Sequence, residues 1–310
     1  MTGGNISGET ILQALDIGKS FGGVPVLKHV DLEIRKGEVH ALMGENGAGK
    51  STLIKIITGA YSKDSGQLKW KGNNVEINSR SDCQALGISC IYQELSVIPA
   101  LSVSQNVLLG KEHRIGKTHL IDYKKMNSMV QELIERYGFP LNPTDCVNDL
   151  GIGQRQLVEI LKGLSSDADL LIMDEPTAVL TPQEIVKLFE TLVELRNAGK
   201  SIILITHKLN EIMQITDEIM VLRLGKVTGH VKTSETDERR IAEMMVGRQL
   251  SEQKEKKVVD QSQVALEAER LEYVDKWGVK AVDDISFTLH KGEILGIAGV
   301  QGNGQSELID

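Results

Sequence analysis

Gly44-Glu45-Asn46-Gly47-Ala48-Gly49-Lys50-Ser51-Thr52 decides the reading of this chain. An apolar run at 39–43 precedes it and another at 53–57 follows. That context predicts a strand, a glycine-rich loop and a helix, and the spacing matches G-x-x-x-x-G-K-[ST], the phosphate-binding loop. Gly44, Gly47 and Gly49 let successive backbone N–H groups, with those around Asn46, converge on phosphate oxygens without a Cβ in the way. The helix beginning near Lys50 adds its own unsatisfied N–H groups. Lys50 would reach the β- and γ-phosphates, Ser51 would ligate Mg²⁺, and Thr52 closes the loop.

A second chemical cluster lies downstream. The apolar run 170–173 ends in Asp174-Glu175. In a phosphate-loop nucleotidase the first such carboxylate holds Mg²⁺. Glu175 would then face the γ-phosphate and polarise the attacking water. Pro176 stops the strand from continuing. A further apolar strand at 201–205 is followed two residues later by His207, placed to touch the γ-phosphate and Glu175. Gln93 follows a short strand at 88–92, where a neutral oxygen could meet Mg²⁺ or water; a surface glutamine is the competing reading. Phe21 either stacks on a nucleotide base or packs at a strand end. At Leu150-Gly151-Ile152-Gly153-Gln154 a glycine-containing segment opens a helix, which reads as a second anion site or as an ordinary junction.

Composition bounds the rest. The chain has 310 residues, 41% of them hydrophobic and 25% charged, enough for more than one core. A formal charge of -8 gives no support to a nucleic-acid footprint. Cys83, Cys90 and Cys146 have no C-x-x-C spacing and read as buried reduced thiols. No basic-then-apolar leader and no run of 18 apolar residues stands in the sequence, so no export signal or bilayer span is expected.

Residues 1–10 are polar and expected to be a flexible N-terminus. Strands are expected at 11–17, 26–34, 66–70 and 75–77, the last two around a turn at Gly72-Asn73-Asn74. A short helix is expected at 82–86. From residue 95 the character changes. Helices over 103–109 and 123–137, then the helix after Gln154, form a mainly helical insertion at about 95–165. Met126, Met129, Val130, Leu133 and Ile134 make the apolar face of the second. His113 and His119 lack partners at ligand spacing and read as surface histidines. Thr181-Pro182 opens another helix. Strands at 219–224 and 227–231 and a helix through Met244-Met245 finish the domain near Arg248. The charged run 249–263 reads as a linker.

The sequence then repeats. Gly44 to Ser51 corresponds to Gly299 to Ser306, an offset of 255 residues. In the second copy Gln305 replaces the lysine and Glu307 stands where the first has Thr52. Losing the point cation weakens a phosphate site. Residues 264–310 are expected to be the incomplete start of a second domain, in a truncated product.

On these motifs residues 11–248 resemble the ATP-binding domain of ABC transporters. The tandem copy, Asp174-Glu175-Pro176-Thr177-Ala178-Val179-Leu180-Thr181, Val158-Glu159-Ile160 and Thr206-His207-Lys208-Leu209-Asn210-Glu211 look like the sugar and nucleoside importer branch. The resemblance implies an α/β fold, a P-loop NTPase core of ABC type with an antiparallel β subdomain and an inserted helical subdomain. It implies ATP and Mg²⁺ as ligands and an adenine-stacking Phe21. It makes Gln93 the Q-loop residue, Asp174 the Mg²⁺ aspartate, Glu175 the catalytic glutamate and His207 the switch histidine. Gly151, Gly153 and Gln154 match the L-S-G-G-Q element that acts in trans, with Gly151 for its serine and Ile152 for a glycine. Thr181 replaces a usual aspartate. The implied partners are integral-membrane permease subunits touching the helical insertion, a substrate-binding protein indirectly, and a second ABC domain or another copy of the chain. The implied place is the cytoplasmic face of the membrane, and the implied work is import of a sugar such as ribose, galactose or xylose. A soluble ATPase acting on ribosomes or DNA, and a non-catalytic nucleotide-binding remnant, are the competing readings.

Overall fold

The computed structural model describes residues 8–116, 118–249, 263–274, 278–299 and 303–309. The expectations for residues 1–7, and for all of the linker but its end residues 249 and 263, lie outside the described residues. The chain divides into two compact units, Met1–Leu250 and Ser251–Asp310.

The first unit begins with two long antiparallel strands, β1 (Thr10–Phe21) and β2 (Val24–Arg35). On β2 the buried positions alternate at Val30, Leu32 and Ile34, as one covered face requires, and β1 buries Leu12 and Ala14, with Ile11 buried as well. β3 (Val39–Met43) leads into the glycine loop and α1 (Lys50–Ile57). β4 (Ser65–Trp70) and β5 (Asn73–Val75) complete a four-stranded antiparallel sheet in the order β2-β1-β4-β5. The turn between the last two is shorter than the sequence predicts. Asn73 and Asn74 pair with Trp70 and Lys69 inside the ladder, so the strand ends at Val75 and does not run to Ile77. Lys71, at φ 47°, takes the left-handed turn position with Gly72.

α2 (Arg80–Ala85) and β6 (Ile88–Ile91) follow. The helical insertion holds α3 (Val103–Val107), α4 (Tyr123–Tyr137) and α5 (Ile152–Leu164). Asp122 caps α4 by accepting the Lys125 N–H, and Gly138 ends it at φ 64°. Met126, Val130, Ile134 and Tyr137 bury its apolar stripe, while Met129 and Leu133 stay half-buried at its margin. β7 (Leu170–Asp174), α6 (Pro182–Asn197), β8 (Ser201–Ile205), α7 (Leu209–Ile215), β9 (Glu218–Arg223), β10 (Lys226–Lys232) and α8 (Glu238–Val246) close the unit.

A six-stranded sheet runs β10-β9-β3-β8-β7-β6, parallel except for the edge strand β10. β3 and β8 are buried at every residue, which is what continuous apolar runs covered on both faces produce. Parallel strands bring all their carboxyl ends to one edge, and ligands of open α/β sheets bind in the crevice there.

The second unit contains an antiparallel hairpin, β11 (Val264–Val274) with β12 (Lys280–His290), and a short helix, α9 (Gln305–Ile309).

Candidate functional site

The carboxyl edge gathers the residues that the sequence singles out. Gly44 follows β3, Gln93 lies just beyond β6, Asp174 ends β7, and His207 lies just beyond β8. Glu175 is fixed by its backbone: its N–H donates to the Ile205 carbonyl at 2.8 Å, and its φ is 48°. A non-glycine residue in the left-handed region carries a conformational cost of order 1–3 kcal/mol and persists where neighbours over-determine it. Here the side chain is held on both oxygens. His207 Nδ1 lies 2.9 Å from Oε1, and Gln93 Nε2 donates to Oε2 at 3.3 Å. Three residues separated by 82 and 32 positions therefore meet at one carboxylate.

The glycine loop packs against this cluster. Gly44, Gly47 and Gly49 all have positive φ. At Gly49, φ 109°, a Cβ would come within 2.7 Å of Leu27 Cδ2, so only glycine lets the loop close onto β2. Gly49 precedes α1 without a side-chain cap, and the first turn carries no acidic residue. The leading N–H groups of that helix thus keep their positive end for an anion. Lys50 Nζ donates to the Gly44 carbonyl at 2.7 Å and the Glu45 carbonyl at 3.0 Å, folding back over the loop. Asn46 and Ser51 are exposed, and Thr52 is half-buried.

Charge and burial oppose each other at the centre. Burial pushes the Lys50 ammonium below its ordinary pKa, against the attraction of Asp174 and Glu175. Burial, then repulsion from Glu175, pushes the Asp174 carboxyl above its ordinary value, against Lys50 and Lys55. Asp174, Ser51 and Gln93 offer oxygen donors at the same edge of the sheet, a donor type suited to Mg²⁺.

Phe21 is 42% exposed and stands edge-on to Tyr61, with ring centroids 5.2 Å apart. Lys19 Nζ lies 5.4 Å from its ring. Tyr61 is an aromatic neighbour that the sequence reading missed, since it sits in a turn with no periodic signal. Gly151, Gly153 and Gln154 form the start of α5. Gln154 Oε1 accepts the Gly151 N–H at 3.2 Å. Among the described residues no hydrogen bond joins them to the Glu175 cluster. Ile152, between the glycines, is 62% exposed. Thr181 caps α6: its hydroxyl accepts the Glu184 N–H at 3.4 Å while Glu184 reaches back to the Thr181 N–H at 2.8 Å.

The cysteine expectation needs correcting. Cys83 is buried and its thiol is pushed up to about 11, while Cys90 and Cys146 are only partly covered. His113 is half-buried and His119 is exposed.

A parallel sheet whose carboxyl edge carries a glycine loop, two adjacent carboxylates, a glutamine and a histidine, flanked by an antiparallel sheet and a helical insertion, defines a phosphate-loop NTPase cassette of ABC type. Residues 27–178 match the ABC transporter family. The nucleoside import ATP-binding protein NupA of Lactococcus lactis subsp. cremoris is 42% identical over 98% of this chain and 60% of its own length. The ribose import ATP-binding protein RbsA of Geobacillus kaustophilus is 43% identical over 95% of this chain and 58% of its own length. A nucleotide-free ATP-binding cassette from an ABC transporter superposes with a TM-score of 0.67 at 24% identity, covering 76% of this chain and 98% of that one. The chain belongs to the ABC transporter family. It spans about 60% of the length of the curated relatives it matches.

Proposed function

We propose that the protein binds and hydrolyses ATP to drive import of a sugar or nucleoside through a membrane permease. The observation that carries the reading is the convergence of Gln93 and His207 on the two oxygens of Glu175 beside the Lys50 loop. The printed names of the relatives, ribose and nucleoside import ATP-binding proteins, supply the cargo class.

In this reading the backbone N–H groups of 44–52 and the Lys50 ammonium hold the phosphates, and Phe21 with Tyr61 offers an aromatic platform to the base. Ser51, Gln93 and Asp174 would hold Mg²⁺, which supplies charge neutralisation at the transferred phosphoryl group. Glu175 orients water and accepts its proton. His207 holds the Glu175 carboxylate in place. The loop Lys50 contacts its own carbonyls here, so binding phosphate exchanges two neutral acceptors for charged ones, which strengthens each bond. Gly151, Gly153 and Gln154 lie apart from this cluster and serve another nucleotide site, on a second ABC domain or a second copy.

The helical insertion supports the permease contact. Ile98, Leu109, Ile115 and Leu120 are 40–67% exposed there, apolar surface of the kind that marks interaction sites. No helix among the described residues is long and apolar enough to cross a membrane, which fits a peripheral subunit at the cytoplasmic face. The reading is tested by affinity purification of the protein from detergent-solubilised membranes. An integral-membrane permease is expected to co-purify, and Leu120→Asp is expected to weaken its recovery. Recovery with ribosomes instead would contradict the importer assignment.

A further inference from the structure

β3 carries one polar residue in a buried apolar strand. His40 is 0% exposed. Its Nδ1 lies 2.6 Å from Glu38 Oε1. A carboxylate at that distance accepts from Nδ1–H, and in the neutral imidazole Nε2 then presents a lone pair. That Nε2 is buried and has no hydrogen-bond partner among the described residues. Glu38 is itself held, because its other oxygen accepts the Arg35 N–H at 3.1 Å.

The sheet register supplies two further donors. Glu218 of β9 is the direct neighbour of His40. On β10, His230 stands opposite Met220, two residues from Glu218 and therefore on the same face. One ligand atom from each of His40, Glu218 and His230 lies within 4.8 Å of the other two. The two imidazole rings are 5.5 Å apart between centroids. His230 Nε2 is 2.7 Å from Glu218 Oε2, and Arg35 Nη1 donates to Glu218 Oε1 at 2.9 Å. The Glu218 side chain is 12% exposed and that of His230 44%, so the cluster opens to solvent on one side only.

We propose that His40, Glu218 and His230 form a site for one first-row divalent transition ion of the zinc class. Two imidazoles and a carboxylate with one open position are a zinc donor set, whereas Mg²⁺ prefers oxygen throughout. Two of the three ligands already have an outer partner of the kind that orients metal ligands: Glu38 on His40 and Arg35 on Glu218. Glu38 and Glu218 outweigh the single charge of Arg35. Lys232, Glu235 and Arg240 line the hollow that Glu218 and His230 border. The site lies at the amino end of β3, four residues and about 13 Å of strand from the glycine loop. It is separate from the nucleotide cluster and would tie the β9–β10 edge to the centre of the sheet.

The test is calorimetric titration of the metal-free 310-residue chain with ZnCl₂ in the absence of nucleotide, beside a thermal melt and an MgCl₂ control. The expected result is one Zn²⁺ per chain with a raised Tm, Zn²⁺ binding about tenfold weaker or worse in His230→Ala, and any heat from Mg²⁺ the same in that variant as in the unaltered chain. His230 is largely exposed, and Glu218→Gln provides a second variant should the first lose its fold. Absence of Zn²⁺ binding, or binding unchanged in both variants, overturns the assignment.

Discussion

Gly49 and Gly304 stand at equivalent places in the two repeats, at φ 109° and 88°. Each admits no Cβ, because each packs on the equivalent strand: Gly49 on Val26 and Leu27, Gly304 on Ala281 and Val282. The lead-in hairpins match in finer detail. Glu38 accepts the Arg35 N–H, and Glu293 accepts the His290 N–H. His29 pairs with Asp16 in the first hairpin, and Asp284 pairs with Arg270 in the second, so the acidic and basic partners have exchanged strands. All four residues have φ between 49° and 55°. After the glycine the repeats part. The first continues with Lys50, the second with Gln305. Val39–Met43 is a strand buried throughout between β8 and β9. Residues 294–298, its copy, pair with no strand among the described residues, and Ile294 is 97% exposed. Two lessons follow. The hairpin and glycine turn are set locally, whereas the central strand exists only with neighbours on both sides. On the proposed function, phosphate chemistry would depend on the residue after the turn and on the carboxylates that the wider sheet delivers.

The largest effect is expected at the Glu175 carboxylate. Glu175→Gln should lower single-turnover ATP hydrolysis about 10²–10⁴-fold while keeping ATP binding. An unchanged rate would remove Glu175 from the reaction. Gly49→Ala should cost about 1–3 kcal/mol of unfolding free energy, from the positive φ and the contact with Leu27, read by urea denaturation. The equivalent Gly304→Ala should leave ATP affinity unchanged. If Gly304→Ala lowers that affinity, the two loops are not functionally distinct.

A smaller effect is expected from Asp174→Asn. The folded-state pKa of Asp174 is raised by burial and by Glu175, so the folded protein holds this proton to higher pH than the unfolded chain does. Stability from that difference is present below the ordinary carboxylate pKa and is lost as pH rises through the raised value. At neutral pH the ionised group therefore destabilises the nucleotide-free fold. Asp174→Asn should raise the nucleotide-free Tm at pH 7 and lose that advantage near pH 3.5, while weakening Mg²⁺-dependent ATP binding. A lowered Tm at pH 7 would show that Asp174 is stabilised by its neighbours.

Much of the nucleotide cluster was legible because each member sits at the end of an apolar run. β7 and β8 announce themselves as buried strands, and whatever follows them must emerge at one edge. α4 was legible to both ends, since Asp122 is a start signal and Gly138 a stop signal. α7 was not, because Lys208 gives it no side-chain cap and it starts within four residues of a strand. β5 was displaced by reading Asn73-Asn74 as turn residues, where the ladder with β4 overrode their propensity. The histidine–glutamate cluster was invisible, since positions 40, 218 and 230 share no ligand spacing and meet only through the register of three strands. Its one clue was a histidine inside an otherwise apolar run. Position alone does not separate Gln93 from a surface glutamine, because its contact with Glu175 spans 82 residues and forms only through the sheet.

The most direct test is the stoichiometry of Mg²⁺-ATP binding to the 310-residue chain by equilibrium dialysis, with Lys50→Ala and Gln305→Ala measured beside it. The expected result is one nucleotide per chain, lost or strongly weakened in Lys50→Ala and unchanged in Gln305→Ala. Two nucleotides per chain, or binding that survives Lys50→Ala and falls with Gln305→Ala, would contradict the assignment of nucleotide binding to the first loop.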